Sequence, residues 1–172
     1  LILLLTAYSG FAGDVAEYVN LGFSENSEYF MFGLYGIEYN TSNPYAEVYT
    51  VKVSKNTFAS DGIFEKSYPI LIQPGQNGSG ALYNLLSENQ SKIKEFGVNH
   101  LVKGRIVYLL INGAEPKDRL EFRDFKNNGR YEVSLKQQKF GTDKEPSASF
   151  HIDLTYTDKT NTIRTYQIGL PD

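Results

Sequence analysis

The amino-acid sequence predicts a mainly β protein of antiparallel sheets, with one amphipathic helix packed on a sheet. Three observations predict this class. Runs in which apolar and polar residues alternate, typical of half-buried strands, occupy much of the chain. Asn, Gly and Pro recur between these runs, where hairpin turns are expected. Only residues 81–96 show helical spacing. A complete β-propeller, which needs about four or more blades, is not expected.

The predicted elements of the N-terminal half are a hairpin, a loop and two strands. The aromatic-rich runs Val15–Phe23 and Tyr29–Gly33 flank a polar turn and predict the hairpin. Gly33–Pro44 contains several turn-forming residues and predicts a loop. Ala46–Val53 alternates as a strand does, and Ser67–Ile72 predicts a second, short apolar strand.

One helix follows the most glycine-rich stretch of the chain, residues 73–80. The apolar residues that share one face of this predicted helix are Leu82, Leu85, Leu86, Ile93 and Phe96. Gly97 is a natural C-terminal stop. The helix is expected to pack on a sheet face.

The C-terminal part predicts a meander of about five strands. Arg105–Asn112 is strongly apolar, as in a strand that is covered on both faces. An Asn-Gly turn joins Leu120–Phe125 to Arg130–Leu135, which is the strongest local signal for a hairpin. Phe150–Tyr156 alternates cleanly and turns into a last strand over Thr162–Leu170.

Composition limits the classes of partner and of chemistry. The 172 residues are 41% hydrophobic and 14% aromatic, which is enough for a core and excludes intrinsic disorder. Acidic residues (20) slightly outnumber basic ones (17), so no nucleic-acid partner is expected. The chain has no cysteine, which excludes disulfides, thiolate metal sites and a cysteine nucleophile.

The first residues are typical of the end of a secretory signal peptide. The apolar run Leu1–Leu5 is too short for a membrane span, and small residues precede a cleavage site between Ala12 and Gly13. We expect residues 1–12 to be a signal-peptide remnant and residues 13–172 to form a single β-rich domain. The mature chain is then expected to be periplasmic or secreted, without a membrane span. The alternative is a buried N-terminal strand.

One part of the chain resembles a propeller blade. Leu21–Phe32 resembles the blade hairpin of TolB-like repeats, and Glu47–Val53 resembles the next strand of such a blade. Glu25, Asn26 and Ser27 stand where that motif has proline, aspartate and glycine.

A second resemblance covers nearly the whole chain. The similar segments are Gly13–Glu17, Gly80–Leu86, Asn112–Lys117, Leu120–Phe125 and Gly169–Asp172. They resemble a bacterial family described only as predicted secreted proteins, a domain of unknown function. The resemblance implies export and further strands beyond the last residue, but it implies no activity, substrate or site.

The glycine-rich loop is a candidate anion-binding site formed by Gly78, Ser79 and Gly80, because free N–H groups at a helix start attract anions. The lysine of a phosphate-binding P-loop and the dinucleotide fingerprint are both missing. Ser79 is also a candidate hydrolase nucleophile, with His100 or His151 as its base. The simpler alternative is that Ser79 caps the helix.

A group of tyrosines is the candidate ligand-binding site. Tyr35, Tyr39 and Tyr45 surround the predicted loop and offer flat contact area with polar tips, which suits a peptide or a glycan. The alternative is that they fold back as a lid over the sheet.

Four acidic residues, Glu115, Asp118, Glu121 and Asp124, are the candidates for carboxylate catalysis. Glu121 is more simply a solvated partner of Arg123. Asp124 lies on the apolar face at a strand end, where it is expected to bind backbone groups of the following turn.

The interpretation that follows is an exported, non-catalytic binding or interaction module of the bacterial envelope. Its ligand is unknown: an envelope protein, a peptide or a glycan held by a sheet edge or by the tyrosine loop. The alternatives are a hydrolase that uses Ser79 or the four acids, and a structural envelope protein. No catalytic residue, metal site or cofactor is predicted, since His100 and His151 lack ligand spacing, although His151 and Asp153 share a strand face.

Overall fold

The computed structural model describes residues 16–73, 75–109, 115, 117–142 and 145–169. The predicted signal peptide, with its Ala12–Gly13 cleavage site, lies outside these residues. The chain divides into two compact units, Leu1–Gly104 and Arg105–Asp172. No helix in the part of the chain that is described is both long and apolar enough to span a membrane.

The first unit is a five-stranded antiparallel sheet with two short helices. Its elements are β1 (Glu17–Ser24), β2 (Tyr29–Ile37), β3 (Pro44–Lys52), β4 (Thr57–Ser67), α1 (Ser79–Glu88), α2 (Gln90–Glu95) and β5 (Val98–Asn99). The strand order is β4-β3-β2-β1-β5. The mainly β class, the N-terminal hairpin and the third strand are thereby confirmed.

Two boundaries in this unit differ from the prediction. The predicted loop over Gly33–Pro44 is shorter, because β2 continues in register with β3 as far as Ile37. The predicted strand over Ser67–Ile72 is wrong. The strand here is β4, which ends at Ser67; beyond it the Ile70 N–H donates to the Tyr68 carbonyl, and Pro69 between them has no N–H to continue a ladder.

A large bulge interrupts the outer strand β4. Val51 pairs with Phe58 and Tyr49 pairs with Ile63, so the segment 59–62 stands opposite Thr50 alone. Asp61 within this segment has a φ of 57°, the left-handed conformation that bulges require of a few residues. A bulge of this kind bends the strand and increases its twist.

The core lies between the sheet and the helices. Its buried members are Leu21, Met31, Tyr35, Ala46, Val48, Tyr68, Ala81, Leu82, Leu85 and Ile93. The single predicted helix is two helices, because Asn89 interrupts it. The Asn89 backbone N–H donates to the Leu85 carbonyl at 3.1 Å, as in a regular helix. Its side-chain amide donates to the same carbonyl at 2.9 Å, a local bond that competes with helix continuation.

The second unit is a four-stranded antiparallel meander. Its strands are β6 (Arg119–Asp124), β7 (Gly129–Thr142), β8 (Glu145–Thr157) and β9 (Ile163–Ile168), in the order β6-β7-β8-β9. The predicted Asn-Gly hairpin is confirmed, with Asn128 at a φ of 54°. No closed barrel or propeller is formed by the described residues.

The predicted strand over Arg105–Asn112 is wrong where the structure describes it. Residues 105–109 form no strand, and Ile106 is 76% exposed. The segment attaches to its unit through side chains, since Tyr108 stacks on Phe122 at 5.0 Å between ring centroids. Hydrophobicity alone predicted the strand, but a strand also requires a backbone partner.

Candidate functional site

Alternation along the strands gives the sheet of the first unit two different faces. In β2, Met31 and Tyr35 are buried on the side of the helices, where Leu82 of α1 also approaches Gly33. The residues between them in β2 project to the opposite side. We call this side the open face, because both helices pack on the other one.

An aromatic row crosses the open face, with one ring from each of four strands. Tyr18 stacks on Phe32 at 5.7 Å, and Phe32 stacks on Tyr49 at 5.2 Å with an angle of 19° between the ring planes. The ring centroids of Tyr49 and Phe58 are 5.3 Å apart. We define the aromatic row as Tyr18, Phe32, Tyr49 and Phe58. Phe30 extends it along β2, at 6.0 Å from Phe32.

The ends of the aromatic row are open to solvent. Tyr18 is 59% exposed and Phe58 is 54% exposed, whereas Phe32 and Tyr49 are half-buried between them. Stacked pairs contribute about 0.5–1.5 kcal/mol each beyond their burial, so the rings hold one another in a flat array. A flat aromatic surface of this kind is typical of an interaction site.

Carboxylates lie at one end of the open face. Glu47 of β3 and Glu65 of β4 are directly opposite in the register. The Tyr49 hydroxyl donates to Glu47 Oε2 at 2.7 Å. This hydrogen bond, followed by burial and by the charges of Glu47 and Glu65, raises the pKa of Tyr49 to about 12. An inner ring of the aromatic row is therefore tied to the carboxylates.

These carboxylates line a shallow groove of about 460 Å³, together with Glu38, Tyr45, Ala46, Lys66 and Ser67. Hydrogen bonds from the Thr41 and Ser67 side chains hold the pKa of Glu38 below its usual value, and so keep it ionised. The groove thus brings three carboxylates beside tyrosine rings.

The structure separates the three tyrosines predicted to bind a ligand. Tyr35 is 9% exposed on the helix side, and its hydroxyl donates to Glu17 Oε2 at 2.6 Å, which is the main cause of its raised pKa. Tyr39 lies in the β2–β3 loop and is exposed, whereas Tyr45 projects onto the open face. Tyr35 pairs with Ala46, and Tyr45 pairs with Gly36, the next pair along the two strands. Neighbouring pairs point to opposite faces of a sheet, so Tyr35 and Tyr45 face opposite ways. A binding role for the three remains a prediction.

The glycine-rich loop has a packing role at its first glycine. A Cβ on Gly78 would overlap the Gly36 carbonyl oxygen of β2, whereas one on Gly80 would meet nothing within 4 Å. Ser79 is the first residue of α1 and does not cap it; its hydroxyl and N–H donate to Asn77 Oδ1 at 2.6 and 3.1 Å. Anion binding by this loop remains a prediction.

Asp124 is a buried carboxylate with a structural set of partners. It is 2% exposed, and its Oδ1 accepts hydrogen bonds from the backbone N–H groups of Lys126 and Asn127 at 2.9 and 3.4 Å. Arg105 Nη2 lies 2.5 Å from Oδ2, and this bond is the main cause of the lowered pKa of Asp124. The prediction that Asp124 binds the following turn is confirmed.

The other three predicted acids are exposed. Glu121 contacts Arg119 at 2.7 Å instead of the predicted Arg123, which donates to Asn128. Glu115 and Asp118, the remaining predicted acids, are exposed.

Each histidine makes a close polar contact. His100 Nδ1 lies 2.6 Å from the Leu21 carbonyl oxygen, and His151 Nε2 lies 3.6 Å from Asp153 Oδ1. Within the described residues, no three His, Asp or Glu side chains are placed to hold a metal ion.

The aromatic row was missed by the sequence analysis. Its signal was present, since Phe30, Phe32 and Leu34 alternate with the residues that form the core. Alternation does not tell which of the two faces the helices cover, nor which rings become neighbours across strands.

Comparison with protein families gives a match over most of the chain. The family model described as "Predicted secreted protein (DUF2259)" matches residues 31–171. No curated protein and no solved structure shows significant similarity to the chain.

Proposed function

The chain belongs to the DUF2259 family of predicted secreted proteins, and on this premise we propose that it is an exported, non-catalytic interaction module of the bacterial envelope. The partner is held on the open face of the first unit. The observation that carries the proposal is the aromatic row, whose exposed ends are Tyr18 and Phe58.

The energetics of the row support binding better than a purely structural role. Exposed rings gain nothing from burial until a partner covers them, and covering a large side chain is worth about 1.5–3 kcal/mol. Because the stacked rings are already ordered, little side-chain entropy remains to be lost on binding. A peptide or a partner protein fits such a flat, preformed surface, and so does a glycan.

The resemblance of Leu21–Phe32 to a TolB-like blade hairpin stays a prediction and is not needed for this proposal.

A binding screen on the full chain tests the proposal. The panel contains extended peptides and envelope glycans, and binding is measured as a rise in melting temperature and then by titration. A ligand at about a hundred times its dissociation constant adds about 2.7 kcal/mol to stability, which is readily seen. We expect the double variant Tyr18→Ser/Phe58→Ser to weaken binding at least about tenfold, since aromatic anchors dominate interfaces.

Tyr83→Ser is the matched control. Tyr83 is 71% exposed on α1, on the other side of the sheet. Its loss should leave binding unchanged. Equal loss of binding in both variants, or none in either, would contradict the proposal.

A further inference from the structure

We propose that the open face selects a cationic partner: an extended protein segment that carries arginine or lysine beside apolar residues. This inference rests on the proposed function and names the chemistry of the partner. It is carried by the distribution of charge over the strands that build the face.

The open face carries negative charge without a compensating basic residue of its own strands. Strands β1–β4 contain two basic residues, Lys52 and Lys66, and the register directs both toward the helix side. There Lys52 pairs with Glu28 at 3.4 Å, and Lys66 pairs with Glu88 at 2.8 Å. Lys66 also lines the groove, but its ammonium group pairs with Glu88 on the helix side, so neither lysine of these strands is free to neutralise the carboxylates of the open face.

The carboxylates of the open face are close enough in the register for one cation to bind two of them. Glu47 and Glu65 are opposite one another across two paired strands, an arrangement of like charges that is unfavourable by itself. Glu38 lines the same groove. A guanidinium or ammonium group placed between Glu47 and Glu65 would relieve this repulsion, and a guanidinium could bond both carboxylates at once.

The neighbouring rings favour a peptide over a bare ion or a neutral sugar. Tyr49 is hydrogen-bonded to Glu47 and stacked on Phe32, so a cation at Glu47 lies beside the aromatic row. Cations bind favourably to aromatic faces, and arginine does so most often. Apolar side chains on either side of the cation would cover the rings of Phe32 and Phe58. A metal ion would leave the rings unused, and a neutral glycan would leave the carboxylates unused.

Three fluorescent peptides of equal length test the inference with the full chain. They share the same aliphatic residues and differ at two alternate positions, which hold arginine, glutamine or glutamate. We expect the arginine peptide to bind roughly tenfold more tightly than the glutamine peptide, and the glutamate peptide to bind most weakly. The preference should shrink as salt is raised, because exposed charges are screened.

The variant Glu47→Gln/Glu65→Gln should abolish the preference for arginine while it keeps the binding of the glutamine peptide. The matched control is Glu25→Gln/Glu95→Gln, which removes the same charge from the β1–β2 turn and from α2. This control should keep the preference. Far-UV circular dichroism and the melting temperature confirm that every variant is folded.

The outcomes separate the two proposals. If the three peptides bind equally, or if both double variants lose the preference alike, the cationic partner is wrong and the aromatic site stands. If calcium or a neutral glycan binds the face while the arginine peptide does not, the inference is also overturned. If Tyr18→Ser/Phe58→Ser changes the binding of no peptide, ion or glycan, the proposed function itself fails.

Discussion

Replacing Gly78 by alanine should destabilise the first unit, although alanine restricts the unfolded chain more than glycine does. Gly78 precedes α1 with a φ of −77°, so its backbone conformation suits any residue. The obstacle is space, because a Cβ would overlap the carbonyl oxygen of Gly36 and lie 3.0 Å from its carbon. Both obstructing atoms belong to the backbone of β2, which cannot rotate away as a flexible side chain would.

The magnitude follows from two opposing effects. Forcing one extra methyl group into a packed site costs about 1–3 kcal/mol. The reduced freedom of the unfolded chain returns about 0.4–1 kcal/mol. We therefore expect Gly78→Ala to lower the free energy of unfolding by about 1–2 kcal/mol.

Gly80→Ala is the matched control, two residues further on. Its Cβ would meet nothing within 4 Å, and the position is already helical. It should raise the free energy of unfolding by about 0.5–1 kcal/mol. Urea unfolding followed by far-UV circular dichroism measures both changes. Two substitutions of the same sign would refute the reasoning, since it assigns the difference to the contact between Gly78 and β2 alone.

Three further predictions concern the core and the pH dependence of stability. Leu85→Ala should lower the free energy of unfolding by about 2–5 kcal/mol in the same urea assay, because Leu85 is 2% exposed in the core. The pKa of Tyr49 is raised to about 12, so its contribution to stability should be lost as pH rises from about 10 to 12. Ultraviolet titration should show several late tyrosines, and the titration near pH 12 should decrease by one tyrosine in Tyr49→Phe. The pKa of Asp124 is lowered, so its carboxylate stabilises the fold above its ordinary pKa of 3.8, and this contribution is lost as pH falls below that value. In Asp124→Asn the melting temperature should therefore fall less steeply with decreasing pH than in the parent chain.

Local signals in the sequence were sufficient for much of the fold. The turn at Asn128 was predictable because asparagine followed by glycine accepts left-handed backbone, and the strands on either side need only each other. The bonds of Asp124 to the next two backbone N–H groups were predictable for the same reason, since all the atoms lie within a few residues. Its partner Arg105 lies 19 residues away in sequence, and no local rule points to it.

The features that depend on distant parts of the chain were not predictable. The run from Arg105 has the composition of a central strand, but a strand exists only where another offers its backbone groups. The strand β4 was hidden because its bulge breaks the alternation on which strand prediction depends. The aromatic row contains one ring from each of four strands. These rings are exposed only because the helices pack on the other face of the sheet, and the tertiary fold determines which face the helices cover.

The bulge in β4 also has a consequence for the protein at high concentration. β4 is the outer strand of its sheet, and an outer strand offers unpaired N–H and C=O groups on which another molecule could polymerise. The segment 59–62, with left-handed Asp61, interrupts this row of groups near its middle and leaves no long straight edge. Self-assembly by addition of a strand to β4 is thereby disfavoured, so the exposed ring of Phe58 lies on an edge strand that does not offer a straight template to a second copy.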